Sequence, residues 1–168
     1  RTDPSLFVRL PLLDRPGQSL AVWTTTPWTL PANVAAAVNP DAEYGRRADG
    51  EWWAVARAPG EEFVERAPGA DLVGLRYEGP FDHLPAAAEV EHRVIPWDDV
   101  SMEEGTGIVH IAPGSGAEDF ELSRVHDLPV LMPVDEAGRF ATEYGWLHGL
   151  STGEAAEQIA VDLGERGK

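Results

Sequence analysis

The sequence predicts an α+β fold in which a curled, barrel-like mixed β-sheet carries a few short helices. Short runs of β-branched and aromatic residues recur along the whole chain, as is typical of strands. The 14 prolines and 17 glycines lie throughout the chain, so they separate many short elements. Clear helix start signals occur at two places, where a serine is followed three residues later by a glutamate.

The amino-terminal residues predict a β-hairpin. Leu6 to Leu10 has the composition of a strand, and the turn residues Asp14 to Gly17 separate it from a second apolar run, Leu20 to Trp23. The second strand leads directly into a threonine-rich stretch, Val22 to Pro31, which is called the threonine segment below. The predicted hairpin therefore places the start of the threonine segment at the end of its second strand.

The rest of the chain predicts short elements of both kinds. Asp49-Gly50 predicts a two-residue turn between two strands of a second hairpin. The strands are expected at Ala35–Val38, Glu43–Arg47, Glu51–Val55, Leu72–Tyr77, Glu89–Trp97 and Gly105–Ala112. The helices are expected at Glu61–Glu65, at 116–126 behind the capping box Ser115 to Glu118, and behind the capping box Ser151 to Glu154 as far as Gly164.

The threonine segment is predicted to be a strand that ends abruptly. Its composition favours a strand as far as Thr26, but Pro27 and Pro31 each remove a backbone donor. Thr29 is then expected to be the N-cap of a short helical turn. Four threonines and two tryptophans within seven residues suit a small polar ligand with an apolar side chain. A threonine-rich edge strand with core tryptophans explains the same residues equally well.

A histidine and an aspartate are predicted to meet at the carboxyl end of a later strand. His110 lies near the end of the strand Gly105–Ala112, and Asp119 lies in the first turns of the helix that follows. Because the loop between them is short, both side chains can face one cleft. Each also has an ordinary explanation, since strand histidines are usually satisfied core or edge residues and the helix dipole favours an aspartate near a helix start.

The composition excludes several classes of protein. The chain has no cysteine, which excludes disulfides and thiolate metal sites. No run approaches the roughly 18 consecutive apolar residues of a membrane span, no signal peptide is recognisable, and a cytoplasmic location is expected. A net charge of −16, from 13 basic and 29 acidic residues, opposes autonomous binding to phosphate backbones. A nucleic-acid partner must therefore be held mostly by something else.

Other catalytic arrangements fit the spacing poorly. Ser115, His110 and Asp119 are the residue types of a hydrolytic triad, but the serine lacks the G-x-S-x-G spacing and capping already accounts for it. No H-E-x-x-H motif occurs, so no zinc site is expected. The glycines between residues 105 and 116 match neither a Walker A loop nor G-x-G-x-x-G, so no nucleotide cofactor is expected.

Two motifs together resemble the inserted editing domain of isoleucyl-tRNA synthetase, a class I enzyme. They are Thr24–Asn33, TTTPWTLPAN, and Gly105–Pro113, GTGIVHIAP, the second followed by Glu118-Asp119-Phe120. In leucyl and valyl relatives the threonine segment resembles Thr-Thr-Arg-Pro. Here Pro27-Trp28 stands instead, which favours the isoleucyl type. The family often has glycine at the position of Asp127, so the chain departs from the pattern there.

The resemblance covers nearly the whole chain and implies one domain, residues 1–168, excised from a larger synthetase. The catalytic body for amino-acid activation is not expected in this chain, because no His-Ile-Gly-His signature occurs and Lys168 is the single lysine. The implied partners are the aminoacylated 3′ end of tRNA and the remainder of the synthetase. No cofactor, metal or membrane is implied.

The resemblance also implies roles for individual residues. Asp119 would hold the α-ammonium of the substrate, and His110 would contact the terminal ribose or exclude a larger side chain. Together with Thr24 they are the implied catalytic residues. The implied substrate-binding residues are Thr25, Thr26, Trp28 and Thr29. These roles leave no obvious general base, so a positioned water assisted by the ribose hydroxyl is expected to attack.

The implied activity is hydrolysis of valyl-tRNA of the isoleucine acceptor, with valyl-adenylate as a second candidate substrate. Isoleucyl-tRNA synthetase is the standard example of the underlying limit, because one methylene is worth only about 1–3 kcal/mol in an apolar pocket. A second site that rejects isoleucine by size and hydrolyses valyl products supplies the missing selectivity. The alternative is a non-catalytic module that holds an aminoacylated tRNA end or a free amino acid.

Overall fold

A mixed β-sheet that curls into a half-barrel forms most of the protein in a computed structural model. The structure describes residues 6–24, 26–85, 90–100, 102, 105–115, 117–132, 134–135 and 137–166. Eight strands lie within these residues: β1 (Leu6–Pro11), β2 (Ser19–Thr24), β3 (Ala35–Val38), β4 (Glu43–Arg46), β5 (Glu51–Ala54), β6 (Glu65–Pro68), β7 (Arg93–Pro96) and β8 (Ile108–Ile111). The α-helices described are α1 (Ala117–His126) and α2 (Thr152–Glu165). The 3-10 helices described are Pro27–Ala32, Val55–Arg57, Gly69–Asp71, Pro113–Ser115 and Thr142–Leu147. The predicted fold class is confirmed.

Strand β2 is the centre of the sheet. β1 pairs antiparallel with it over its whole length, which confirms the amino-terminal hairpin. The other edge of β2 is divided between two parallel partners, β5 beside Ser19 and Leu20 and β8 beside Trp23. The strand order is β6-β4-β5-β2-β8-β3-β7, with β1 outside this path. Because β5 and β8 meet β2 at its two ends, the sheet diverges along β2 and curls around it.

The sheet has apolar side chains on both faces. On β8, Ile108 belongs to the large core inside the curl, whereas Ile111 belongs to a smaller core on the outer face with Leu122 of α1. His110 lies opposite Ala36 of β3, and Ala36 also belongs to the inner core. Because successive strand residues alternate between the two faces, His110 is directed into the curl.

The hairpin predicted around Asp49-Gly50 is confirmed, but its turn is longer than expected. The amide of Arg47 donates to the carbonyl of Glu51 at 2.9 Å, so the loop contains residues 48–50 and not two residues. Gly50 ends this loop at φ +94°, the left-handed conformation that suits glycine. A Cβ at position 50 would lie 2.2 Å from the carbonyl oxygen of Gly17. The close approach of this neighbouring turn is therefore a second reason for glycine at position 50.

The helix predicted at Glu61–Glu65 is wrong. Residues 61–64 form no helix, and β6 begins at Glu65 and pairs antiparallel with β4. The amide of Val64 donates to the carbonyl of Arg46 at 2.8 Å, so the segment satisfies its backbone across the sheet and not within a helix. Pairing with a neighbouring strand overrides the weak local helix preference of these few residues.

The strand predicted at Leu72–Tyr77 is also wrong. Gly74, at φ +92°, turns the chain, and Arg76 and Tyr77 make isolated bridges and no strand. The strands predicted at Glu89–Trp97 and Gly105–Ala112 exist as the shorter β7 and β8, and Glu89 lies outside the described residues. β7 ends the strand order, as expected from Pro96.

Both predicted carboxyl-terminal helices exist. In α2 the capping box is complete, because Ser151 Oγ accepts from the amide of Glu154 at 3.3 Å and Glu154 Oε1 accepts from the amide of Ser151 at 3.0 Å. α2 ends at Glu165, one residue after the predicted stop. The side chains of the other capping box, Ser115 and Glu118, lie outside the described residues. None of the helices in the described ranges is long and apolar enough to cross a membrane.

Helix α1 ends in a left-handed residue that is not glycine. The amide of Leu128 donates to the carbonyl of Ser123 at 2.9 Å, which is the long bond of a Schellman motif. The motif holds Asp127 at φ +54°. The position where the family pattern has glycine therefore keeps the left-handed turn, although an aspartate occupies it.

Replacing Asp127 with glycine should stabilise the protein by roughly 0.5–1 kcal/mol. The left-handed conformation costs a residue with a Cβ about 1–2 kcal/mol, and the greater chain entropy of glycine offsets part of the gain. Urea unfolding measures the difference. The matched control, Asp127→Ala, keeps a Cβ and should give no such gain. Equal stabilisation by both variants would show that removal of the carboxylate, and not relief of the backbone, is responsible.

Candidate functional site

The threonine segment leaves the sheet at Thr24, where β2 ends. The amide of Thr26 donates to Thr24 Oγ1 at 3.0 Å, so a side-chain turn replaces the strand ladder. A 3-10 helix follows from Pro27, where no backbone N–H is needed. The predicted N-cap at Thr29 is wrong, because the helix begins two residues earlier and Thr26 holds the cap position.

Three threonine side chains form a row that reaches a histidine. Thr24 Oγ1 and Thr26 Oγ1 are 3.4 Å apart, and Thr26 Oγ1 and Thr29 Oγ1 are also 3.4 Å apart. Thr29 is buried, and its Oγ1 lies 2.8 Å from Nε2 of His110. The structure therefore brings together the two sequence motifs that predicted the site, through direct contact between Thr29 and His110.

Asn33 contacts the opposite side of the histidine ring. Its Nδ2 lies 2.8 Å from Nδ1 of His110 and 3.0 Å from the carbonyl oxygen of Ala35. Its Oδ1 accepts the hydroxyl of Tyr77 at 2.5 Å. Asn33 ends the motif TTTPWTLPAN but had no predicted role, and Tyr77 was predicted only as part of a strand. No sequence pattern pointed to these contacts, because the burial of the amide, which requires partners for its polar atoms, is known only from the structure.

The hydrogen bonds determine the tautomer of His110. A carbonyl oxygen can only accept, so the bond to Ala35 fixes the NH₂ group of Asn33 on the side of the histidine. Nδ1 of His110 therefore accepts, and the ring proton lies on Nε2 and is donated to Thr29 Oγ1. The hydroxyl of Thr29 donates in turn to the carbonyl of Thr26 at 2.8 Å.

Burial keeps His110 neutral. The residue is 8% exposed, and desolvation lowers its pKa from 6.5 to about 4. A proton added to Nδ1 would face the NH₂ group of Asn33, which also donates. His110 is therefore unsuited to act as a general base near neutral pH. It contributes a fixed N–H donor and the volume of its ring.

Asp119 joins this region from α1. Its Oδ2 accepts the backbone amide of Ala112 at 2.9 Å, so the carboxylate is anchored at the carboxyl end of β8, two residues beyond His110. Hydrogen bonds to charged groups typically contribute about 1.5–3 kcal/mol, more than the helix dipole that is the ordinary explanation for an aspartate near a helix start. The 3-10 helix that begins at Pro113 also contacts the one that begins at Pro27. Both motifs thus lie at one end of the sheet.

The remaining predicted residues occupy different environments. Trp28 is half-buried and packs against the inner core, and Thr26 is exposed. Thr25 lies outside the described residues, as does the side chain of Ser115 in the alternative triad. Among the residues described, no three histidine, aspartate or glutamate side chains are grouped so that they could hold a metal ion.

Comparison with known proteins finds relatives over nearly the whole chain. It is 46% identical to the isoleucine–tRNA ligase of Methanothermobacter thermautotrophicus over 99% of this chain. It is 43% identical to that of Methanopyrus kandleri over 98%, and 42% identical to that of Pyrococcus furiosus over 99%. The chain spans only 17–18% of the length of these relatives. No family model matches it.

The fold also has counterparts among solved structures. The crystal structure of GlLeuRS-CP1 matches with a TM-score of 0.70 over 98% of this chain and 97% of that one, at 14% identity. The editing domain of P. knowlesi cytosolic leucyl-tRNA synthetase matches with a TM-score of 0.51 over 66% and 53%, also at 14% identity. The chain belongs to the isoleucyl-tRNA synthetase family, of whose members it spans a segment, and it shares its fold with the CP1 and editing domains of leucyl-tRNA synthetases. The resemblance carried by the two motifs is confirmed.

The buried, neutral His110 should make the stability of the protein depend on pH. The unfolded histidine titrates near 6.5 and the folded one near 4. The stabilisation is therefore fully present above pH 6.5, is lost as the pH falls toward 4, and changes no further below that. The difference corresponds to about 3 kcal/mol.

Urea unfolding of wild type and His110→Gln between pH 7 and 4 isolates this contribution, because other titrating groups are common to both proteins. Between pH 7 and pH 4 the free energy of unfolding of His110→Gln should fall by about 3 kcal/mol less than that of wild type. His148→Gln, at an exposed position, is the matched control and should follow wild type. Parallel curves for wild type and His110→Gln would show that His110 binds protons equally well in the folded and unfolded states.

Proposed function

We propose that this domain hydrolyses the ester of valine with isoleucine-accepting tRNA and leaves the isoleucyl ester intact. The observation that carries the proposal is the buried contact between Thr29 and the neutral His110, which forms a fixed wall beside a row of hydroxyls. Similarity to isoleucine–tRNA ligases over 99% of the chain supports it, since isoleucine and valine are hard to separate by affinity alone.

In this proposal Asp119 binds the α-ammonium of the substrate. A carboxylate accepts several hydrogen bonds at once, so the group that holds the amide of Ala112 can also hold an ammonium. The anchor through Oδ2 limits movement of the carboxylate, and a fixed negative charge orients the amino acid by its amino end. The side chain of the amino acid then lies toward the threonine row.

The proposed reaction uses water and no protein base. Water attacks the ester carbonyl carbon, the bond from that carbon to the ribose oxygen breaks, and the ribose oxygen leaves with a proton. His110 does not take up the proton, because its Nδ1 already accepts from Asn33 and its pKa lies at about 4. The hydroxyls of Thr24 and Thr26 position the water, and the neighbouring ribose hydroxyl assists proton transfer.

Selectivity in this proposal comes from exclusion. An attractive pocket could gain only the worth of a methylene, and it would gain it for isoleucine, which is larger and more apolar. A packed wall has the opposite effect, since overlap costs more with each added atom. Thr29 and His110 are both buried and bonded to each other, so neither side chain can move aside alone.

A non-catalytic module that holds an aminoacylated tRNA end is the competing function. Release of more than one valine per domain from valyl-tRNA supports the hydrolase, and the absence of any release contradicts it. Valyl-adenylate is the second candidate substrate, and it is tested in the same assay. With a net charge of −16 the domain binds tRNA weakly, so the assay requires a high concentration of valyl-tRNA.

Asp119→Asn should lower deacylation of valyl-tRNA by roughly 10- to 150-fold, which corresponds to the 1.5–3 kcal/mol of a hydrogen bond to a charged group. The amide oxygen can still accept from Ala112, so the fold should be retained. Asp119→Ala removes the anchor as well and should also lower the free energy of unfolding. Asp127→Asn, at the other end of α1, is the control with unchanged activity. Full activity in a folded Asp119→Asn protein would remove Asp119 from the site.

Thr29→Ala should allow hydrolysis of correctly charged isoleucyl-tRNA, because it shortens the wall by the atoms that meet the extra methylene. The rate on isoleucyl-tRNA relative to valyl-tRNA should rise by about 10- to 200-fold. Thr29→Val keeps the shape of threonine without its hydroxyl, so it should gain much less activity on isoleucyl-tRNA than Thr29→Ala does. His110→Ala should behave like Thr29→Ala.

Both rates are measured by release of labelled amino acid from the two charged tRNAs. If Thr29→Val gains isoleucyl activity as Thr29→Ala does, the hydroxyl and not the size of the wall makes the selection. If neither Thr29→Ala nor His110→Ala gains any, these residues position the ester and the size filter lies elsewhere.

A further inference from the structure

We infer that Tyr77 is a positioning residue of this site, because its hydroxyl, together with the carbonyl of Ala35, orients Asn33 and through Asn33 favours the tautomer of His110 that donates to Thr29. The consequence for selectivity rests on the proposed function, whereas the tautomer itself can be measured on the folded domain without any activity.

Tyr77 is held from three sides although it lies in no strand. The residue is buried, its amide donates to the carbonyl of His92 at 3.1 Å, and it forms an isolated bridge with Leu12. Its ring packs against the ring of His92, with 5.2 Å between centroids. The hydroxyl is thereby brought to 2.5 Å from Oδ1 of Asn33. A side chain fixed in this way can impose an orientation on its partner.

The amide of Asn33 has two orientations, and each is coupled to one tautomer of His110. In the observed orientation NH₂ faces Nδ1 of His110 and the carbonyl of Ala35, and Oδ1 receives the hydroxyl proton of Tyr77. In the reversed orientation Oδ1 would face Nδ1, which would then have to carry the ring proton, and Oδ1 would also face the carbonyl oxygen of Ala35, which cannot donate. Reversal would also deprive the buried hydroxyl proton of Tyr77 of the acceptor it has now.

The tautomer decides how the threonine row is hydrogen-bonded. With the proton on Nε2, His110 donates to Thr29 and Thr29 donates to the carbonyl of Thr26. With the proton on Nδ1, Nε2 would accept, and Thr29 would turn its hydroxyl toward the ring and release that carbonyl. Tyr77 thus helps to set, across two intervening residues of the hydrogen-bond chain, which way the hydroxyl beside the proposed substrate points.

A second buried tyrosine provides a matched control. The hydroxyl of Tyr44 donates to the carbonyl of Gly107 at 2.5 Å and accepts the amide of Asn39 at 2.9 Å. Tyr44 is fully buried, so Tyr44→Phe also removes a buried, hydrogen-bonded hydroxyl. Neither of these two contacts involves Asn33 or His110.

The test is nitrogen-15 NMR of the histidine ring nitrogens in wild type, Tyr77→Phe and Tyr44→Phe, with the His110 signals assigned by comparison with His110→Gln. Wild type and Tyr44→Phe should show a directly bonded proton on Nε2 and none on Nδ1. Tyr77→Phe should show a measurable Nδ1–H population, although the carbonyl of Ala35 still favours the observed tautomer. In deacylation assays Tyr77→Phe should also reject isoleucyl-tRNA about tenfold less well than Tyr44→Phe does.

An unchanged tautomer in folded Tyr77→Phe overturns the inference, and so does an equal change in Tyr44→Phe, which would indicate general loosening. If Tyr77→Phe does not fold, wild type alone remains decisive, because a proton on Nδ1 of His110 contradicts the inference. A tautomer change confined to Tyr77→Phe supports it even if no protein in the series hydrolyses valyl-tRNA. In that case only the proposed function fails.

Discussion

The antiparallel register of β3 and β8 is the constraint on which the site depends. It places Ala36 opposite His110 and leaves apolar cores on both faces of the pair. A slip of one residue would move His110 to the outer face beside α1 and bring Ile111 toward Thr29. The same slip would put a polar ring into one core and leave Asn33 without its partner. Burial on both faces therefore fixes the register, and the register fixes the histidine.

The sequence predicted those parts of the site that depend on local patterns. Pro27 has no backbone donor, so a strand must end before it, and the structure ends the strand at Thr24. His110 and Asp119 were placed together because a short loop joins a strand to a helix. Tyr77 could not be found in this way, because it contacts Asn33 across 44 residues and lies in no regular element. Its position is set by Gly74 and by pairing to distant strands, which local propensity does not encode.

Charge and shape are divided between different residues of the site. Asp119 is the carboxylate anchored beside β8, whereas His110 is kept neutral by burial and adds no charge. The arginines, which could attract tRNA phosphates, are in several cases paired within the sheet, such as Arg47 with Asp49, Glu51 and Glu61. In the proposed function the domain therefore recognises the amino-acid end of its substrate, and attraction to the rest of the tRNA depends on other contacts.

A wall made of hydrogen-bonded polar groups suits a filter that must separate two aliphatic side chains. An apolar wall can repack around one extra methylene at modest cost, because dispersion contacts have no fixed direction. The chain from Tyr77 through Asn33 and His110 to Thr29 has no such freedom, since any shift leaves a buried donor or acceptor without its partner. The wall is then rigid because any movement would break hydrogen bonds, and not because of tight packing alone. On this argument, weakening one hydrogen bond far from the substrate should relax the proposed filter, although by less than trimming the wall itself.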